Sequence, residues 1–371
     1  MQESLDVVIP SYRLDEEILS KIFLLPKPEG FDIKFYLIAD NPSVRVSKAF
    51  EKLIESLGVI FIVNKVNLGF SRTRNLGIDE GNGNWILLLD DDIVPEPNLL
   101  IAFANKILQH PDCIGFGGVT KFPPPFNSAT ESLVLNGIVA KPLLALYVNE
   151  QPVPPTADVI LNRKRLGHRR FVPELVNGGE DIEFLFRNSV ENNQKYISVP
   201  DAIVTHPWWD NGKVQTKRMF KYGLGISDII HLPHIRGYSY SDFFSTSETT
   251  LTIVLVYVAS LAINASNIAW WWVFSIVLSA EFFTNTIRSV FLAKRFSLPL
   301  IWFMLWHKNC YEAGYLWGVL SSGKFGYFAK RLDVSFNKIN PSPFRLNKWK
   351  IIKLSFIVIA CVITYVTTKS S

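Results

Sequence analysis

NWILLLDDDIVPEPN, residues Asn84 to Asn98, decides the fold. Trp85 to Leu89 is a short apolar run that stops at three aspartates, as a strand buried on both faces does. One aspartate there would be explained by a turn or a helix N-cap ahead of Pro95. Three adjacent carboxylates repel one another, and the simplest relief is a bound divalent cation; oxygen ligands suit Mg²⁺ or Mn²⁺.

The same pattern recurs toward the N-terminus. LDVVIPSY (Leu5 to Tyr12), IKFYLIADN (Ile33 to Asn41) and GVIFIVN (Gly58 to Asn64) read as strands, and Glu16 to Leu25, Val46 to Leu57 and Ser71 to Glu80 read as helices between them. Strand and helix alternate from Met1 to about Pro207. That order predicts an α/β, Rossmann-like domain with right-handed crossovers and a mostly parallel sheet covered by helices on both faces. Ligands collect at the carboxyl ends of such strands, where Pro10, Asp40, Asn64 and the aspartates fall. Pro123 to Pro125 and Pro152, Pro154 and Pro155 punctuate a less regular stretch, read as a mobile wall over the site.

Composition adds a second region. The 371 residues are 48% apolar and 19% charged with a net charge of +5, and the positive mean hydropathy calls for a membrane part. No nucleic-acid signature is present. Cys113, Cys310 and Cys361 are far apart and form neither a disulfide framework nor a zinc pattern. MQESLDVVIPSYR lacks a basic start and an apolar core, so no cleaved signal is visible and the catalytic part is expected in the cytoplasm.

From Thr249 to Ala280 no residue is charged. The expected division is a catalytic domain over 1–235 and a membrane region over 236–371, with hydrophobic helices at about 249–264, 268–292, 298–320 and 351–366. Asn264 to Asn267 would turn the first pair, with Trp270, Trp271 and Trp272 in an interfacial belt. His307, Lys308 and Glu312 interrupt the third stretch. Ser321 to Lys350 is basic, so positive-inside bias favours three spans with that segment cytoplasmic.

VVIPSYR, ADN, NLGFSRTRNLGI, LLLDDDIVP and GGEDIEFLFR together resemble, in order and spacing, the family-2 glycosyltransferases with the GT-A fold, over about residues 4–225. The resemblance implies a membrane-bound inverting transferase that moves a sugar from a nucleotide-diphosphate sugar to a lipid-linked or polyprenyl-phosphate acceptor. Pro10, Tyr12, Asp40, Asn67, Gly69, Arg74 and Asn75 match its nucleotide-contacting positions. Asp90 and Asp92 fill the DXD places, with Asp92 the direct metal ligand, Asp90 nearer the ribose and Asp91 in the variable middle position. Asp181 matches the general base, with Glu180 beside it as the alternative; apart from any family, both complement the dipole of the helix they open. Ile182, Leu185 and Phe186 are expected to face inward. His206, after the last strand, would complete the metal shell around Mn²⁺ or Mg²⁺. Trp208 and Trp209 could stack on a sugar or rest in the bilayer interface, the latter favoured. Arg72 and Arg74 could also face phosphates.

QTKRMFKYGLG partly resembles the QxxRW motif of processive polysaccharide synthases through Gln215 and Arg218, but Met219 stands where the Trp belongs. Gln215, Arg218 and Lys221 remain candidates for phosphate or acceptor contacts. The alternatives are therefore a processive polysaccharide synthase and, from another class, a catalytically silent membrane scaffold. The second predicts eroded chemical positions, whereas Asp40, Asp90, Asp92, Asp181 and His206 are all in place.

Overall fold

In the computed structural model, residues 2–263, 270–336 and 345–369 are described. The chain resolves into two compact units, Met1–Pro124 with Val139–Asn211, and Pro125–Ile138 with Gly212–Ser371. This division departs from the expected boundary at 235: the segment after Asn211 groups with the later helices.

The first unit is built on a nine-stranded sheet: β1 (Glu3–Ser11), β2 (Phe31–Ala39), β3 (Ile60–Val63), β4 (Trp85–Leu89), β5 (Val94–Pro95), β6 (Gly115–Lys121), β7 (Glu150–Gln151), β8 (Asp158–Asn162) and β9 (Tyr196–Thr205). Its order is β3-β2-β1-β4-β8-β6-β9-β5, with β7 on β9. The four strands read from sequence are parallel neighbours, with β1 between β2 and β4. Helices Glu16–Phe23, Lys48–Ser56 and Phe70–Glu80 connect them. Asp15 starts the first by accepting from the Glu17 and Ile18 amides, and Ser47 starts the second by accepting from Phe50. Alternate residues of β1, β2 and β4 (Leu5, Val7, Ile9; Phe35, Leu37; Trp85, Leu87, Leu89) pack with Leu19, Ile22, Phe23, Phe50 and Phe103 into one core.

Part of the stretch read as an irregular wall is a strand. β8, DVILN, is fully buried and runs antiparallel between β4 and β6. It opens on an aspartate just after a Pro-rich turn, so its five residues show neither alternation nor an all-apolar run.

The second unit is helical: Ser128–Leu135, Thr216–Ile229, Thr246–Ala262, Trp270–Ala293, Leu298–Ser321 and Lys348–Lys369. The four late helices match the expected stretches in place. The turn expected at 264–267 lies outside the described residues. Among the described residues only Trp271–Ala293 is both long and apolar enough to cross a membrane, and Thr246–Ala262 is apolar but short. Large side chains on these helices are exposed, among them Val256, Phe283, Phe291 and Ile359.

Leu298–Ser321 lies against Thr216–Ile229 at a close crossing. A Cβ on Gly314 would come within 2.0 Å of the Phe220 carbonyl, and one on Gly223 within 2.1 Å of the Tyr311 carbonyl. Small residues let the two backbones meet. The interrupting residues of this helix are interior: His307 is buried between Ser132 and the Gln215 amide, and Lys308 pairs with Glu281 and Glu312.

Candidate active site

The site grows from the carboxyl end of β4. Asp90 leaves the strand, and the short β5 then pairs antiparallel with the end of β9, Val94 opposite Thr205. That pairing brings Asp92, two residues before Val94, to His206, one residue after Thr205. Ligand atoms of Asp90, Asp92 and His206 all lie within 4.8 Å of one another. His206 Nδ1 lies 2.6 Å from the Pro207 carbonyl oxygen, which can only accept, so Nδ1 carries a proton and donates. The other ring nitrogen, Nε2, faces Asp92 Oδ1 at 3.3 Å. Asp90, Asp92 and His206 thus offer an O, O, N donor set, which fits a divalent ion such as Mn²⁺ or Mg²⁺. Phe122 stacks on the imidazole with centroids 5.1 Å apart, fixing the ring.

The other carboxylates of the triplet are held differently. Asp91 is buried, accepting from Ser11 Oγ at 2.7 Å and from Arg13 at 2.9 Å. Arg13 also pairs with Asp92 Oδ2 at 2.7 Å. Asp90 receives Arg74 at 2.9 Å. Arg74 does not reach out as expected: it is buried and also faces Glu180 at 3.5 Å. Arg72, by contrast, is exposed.

The nucleotide-contacting candidates form a braced loop. Asp40 is buried at the end of β2 and accepts from Asn64 Nδ2, the Leu68 amide and the Gly69 amide at 2.7–2.8 Å. Asn67 Oδ1 also accepts from the Gly69 amide. Asp40 therefore shapes the loop that opens helix Phe70–Glu80. Asn75 clasps the Phe171 backbone in both directions, at 2.8 and 2.9 Å. Pro10 is half-buried and Tyr12 exposed beside this loop, at the end of β1.

Helix Glu180–Asn192 brings the candidate base. Gly179 precedes it at φ 86°, a left-handed conformation that favours glycine. The helix buries Phe184, Leu185 and Phe186, while Ile182, expected inside, is only half-buried. Asp181 remains partly open to solvent, and its Oδ1 accepts from the Ile182 amide at 2.8 Å. Burial, with Asp181 adding and Arg74 opposing, pushes the Glu180 carboxyl up to about 7. Of the two acidic residues, Asp181 is thus the one presented as an accessible carboxylate.

Three contributors escaped the sequence reading. Arg13 follows the quoted strand directly, and a basic residue at a strand end beside an acidic triplet was its only signal. Lys141 is a cation near Asp181; burial draws it below the ordinary lysine value, and Asp181 partly opposes this. Asp158 is fully buried opposite Leu89, with burial raising its carboxyl well above the usual range and Thr120 Oγ1 donating to it at 3.0 Å.

Trp208, expected in the bilayer interface, is instead buried against Phe122, because the chain turns back after Pro207; Trp209 is half-exposed with its ring 5.2 Å from Phe122. Gln215, Arg218 and Lys221 belong to the helical unit. There Arg218 donates to Gln215 at 3.2 Å, and Lys221 is exposed.

A Haemophilus influenzae protein named as an uncharacterized glycosyltransferase is 25% identical over 308 residues, 71% of this chain and 99% of its own length. Among solved structures, S. aureus TarS 1-349 aligns over 93% of this chain and 97% of its own, with 15% identity and a TM-score of 0.44. S. aureus TarS aligns at 15% identity and a TM-score of 0.41, over 62% of this chain and 40% of its own. GalNAc-T7 with UDP, GalNAc and Mn²⁺ aligns over 66% of this chain and 50% of its own, with 14% identity and a TM-score of 0.47. Residues 6–161 match the family model described as Glycosyl transferase family 2.

Proposed function

We propose that the chain is a membrane-associated, inverting glycosyltransferase that moves a sugar from a nucleotide-diphosphate sugar to a lipid-linked or polyprenyl-phosphate acceptor at the cytoplasmic face. The observation that carries the reading is the convergence of Asp90, Asp92 and His206 in one ligand group, the two aspartates lying within the residues matched by the family model. A divalent cation held there would supply charge for the diphosphate as it leaves the sugar. Asp92 and His206 would hold it, with Asp90 completing the group.

The chain's own residues then divide the work. The loop braced by Asp40, with Asn67, Gly69, Pro10 and Tyr12, receives the nucleotide. Asp181 takes the proton of the acceptor hydroxyl while that oxygen attacks the anomeric carbon. The bond from that carbon to the diphosphate breaks, and its electron pair leaves with the nucleoside diphosphate. Attack opposite the leaving group inverts the anomeric centre. Glu180 serves this step indirectly, holding Arg74 against Asp90.

Attachment to a bilayer is supported by the exposed apolar helices and by the segment of spanning length among the described residues. Single transfer is preferred over processive synthesis because Met219, buried in its helix, replaces the Trp of QxxRW. The experiment is a panel of UDP-, GDP- and dTDP-sugars incubated with the full chain and membrane lipid extract, followed by product length. The expected result is one donor giving a lipid product extended by one sugar. A ladder of polymer would contradict single transfer, and no turnover of any donor would remove the proposal.

A further inference from the structure

Asp92 offers its two oxygens to different partners. Oδ1 faces His206 Nε2 at 3.3 Å, inside the ligand group, and Oδ2 takes the 2.7 Å ion pair from Arg13 Nη2. The same nitrogen reaches Asp91 Oδ1 at 2.9 Å. Asp91 is in turn fastened to Ser11 Oγ, which accepts from the Leu14 amide at 3.0 Å. Leu14 holds φ 48° in this turn, so the base of the arm is set by the backbone. The arm itself lies toward solvent: the Arg13 side chain is 60% exposed. Arg74 is its opposite, with a side chain 9% exposed and bound to both Asp90 and Glu180. Of the two guanidiniums on the triplet, Arg13 is the one able to leave.

We infer that Arg13 is a tethered counter-ion: it competes with the divalent cation for Asp92 and, once that cation is bound, carries its charge to the diphosphate of the donor. The inference rests on the cation reading given above. A guanidinium and a divalent ion on one carboxylate repel each other, so each lowers the other's affinity. A diphosphate has the oxygen geometry that a guanidinium binds bidentately and lies within reach of a mobile arm anchored beside the metal group. The arrangement makes cation and nucleotide binding cooperative: the cation releases Arg13, and the released Arg13 helps hold the nucleotide.

The test titrates the full chain in detergent micelles with Mn²⁺ at low ionic strength, reading free Mn²⁺ by electron paramagnetic resonance. Arg13→Ala and Arg13→Gln should each bind Mn²⁺ about tenfold more tightly than wild type, a gap that narrows at high salt. With Mn²⁺ saturating, the tightest binder among UDP, GDP and dTDP should bind about tenfold more weakly to both variants, and Arg13→Lys should lie between. Damage to the fold cannot raise metal affinity, so the first result is specific to competition. Equal or weaker Mn²⁺ binding in Arg13→Gln, with a wild-type melting curve, would overturn the competition, and undiminished nucleotide affinity would overturn the diphosphate contact. Absence of Mn²⁺ binding in every variant, or its persistence in Asp92→Asn, would refute the cation reading instead.

Discussion

In the helical unit Glu281 and Glu312 face Lys308 and Lys353; in the sheet unit Asp90, Asp91 and Asp92 face Arg13 and Arg74. The first set closes on itself. Glu281 meets Lys308 at 2.6 Å and Lys353 at 2.8 Å, and Lys308 also meets Glu312 at 2.9 Å. Glu312 accepts from the Thr246 amide, and Lys353 donates to the Phe244 carbonyl and Thr246 Oγ1. Two carboxylates balance two ammonium groups, as buried charge must be balanced among apolar helices. The second set does not close. Its carboxylates outnumber its guanidiniums, Asp181 adds a further acidic group, and Asp92 Oδ1 faces His206 Nε2 at 3.3 Å. A balanced buried cluster ties helices together, while an unbalanced acidic one beside an imidazole fits a cation.

The sharpest way to break this contrast is by substitution in each cluster. Asp181→Asn should lower nucleotide-sugar turnover by about a thousandfold and leave Mn²⁺ and nucleotide binding intact; full turnover would show that the base lies elsewhere. Glu281→Ala opens the closed cluster, leaving buried Lys353 without its carboxylate and Lys308 with Glu312 alone. It should cost about 3–5 kcal/mol of stability, read as a lower melting midpoint in detergent. Asp92→Asn should leave that midpoint unchanged or raised, since it relieves repulsion. A similar loss of stability in both would erase the distinction.

A smaller effect concerns pH. The Glu180 carboxyl is raised to about 7 by burial and Asp181, so the folded chain favours its protonated form. The stability it contributes is complete below about pH 4.5, the ordinary value, and is lost as pH rises through 7. Measured without divalent cation, wild type should lose about 2 kcal/mol relative to Glu180→Gln between pH 5 and 8. A constant difference would mean that Arg74 keeps Glu180 ionised throughout. The smallest change is expected for Asp91→Asn, where the amide oxygen can still accept from Arg13 and the amide nitrogen can donate to Ser11 Oγ: turnover should fall only about threefold. A loss as large as that of Asp92→Asn would make the middle aspartate a ligand.

The legible parts were those in which one short segment carries its own signal. WILLL and the runs before it are buried parallel strands because each is apolar throughout and ends at a polar residue. Asp90, Asp92 and His206 converge as the family motif implied, because β5 and β9 pair. What escaped depends on partners far apart in sequence. Arg74 looks like a phosphate-facing arginine until Glu180, more than a hundred residues later, closes over it. Trp208 looks interfacial until Phe122 covers it. β8 is hidden because a buried aspartate opens its short apolar run. The charges of Leu298–Ser321 read as an interruption, and only Glu281 from another helix shows that they are an internal tie.

The measurement that tests the central claim most directly is turnover of the identified donor by the full chain after stripping with EDTA, followed by titration with Mn²⁺. The account predicts that EDTA abolishes turnover and that Mn²⁺ restores it saturably in wild type but not in Asp92→Asn. Undiminished turnover in EDTA, or full restoration in Asp92→Asn, would contradict it.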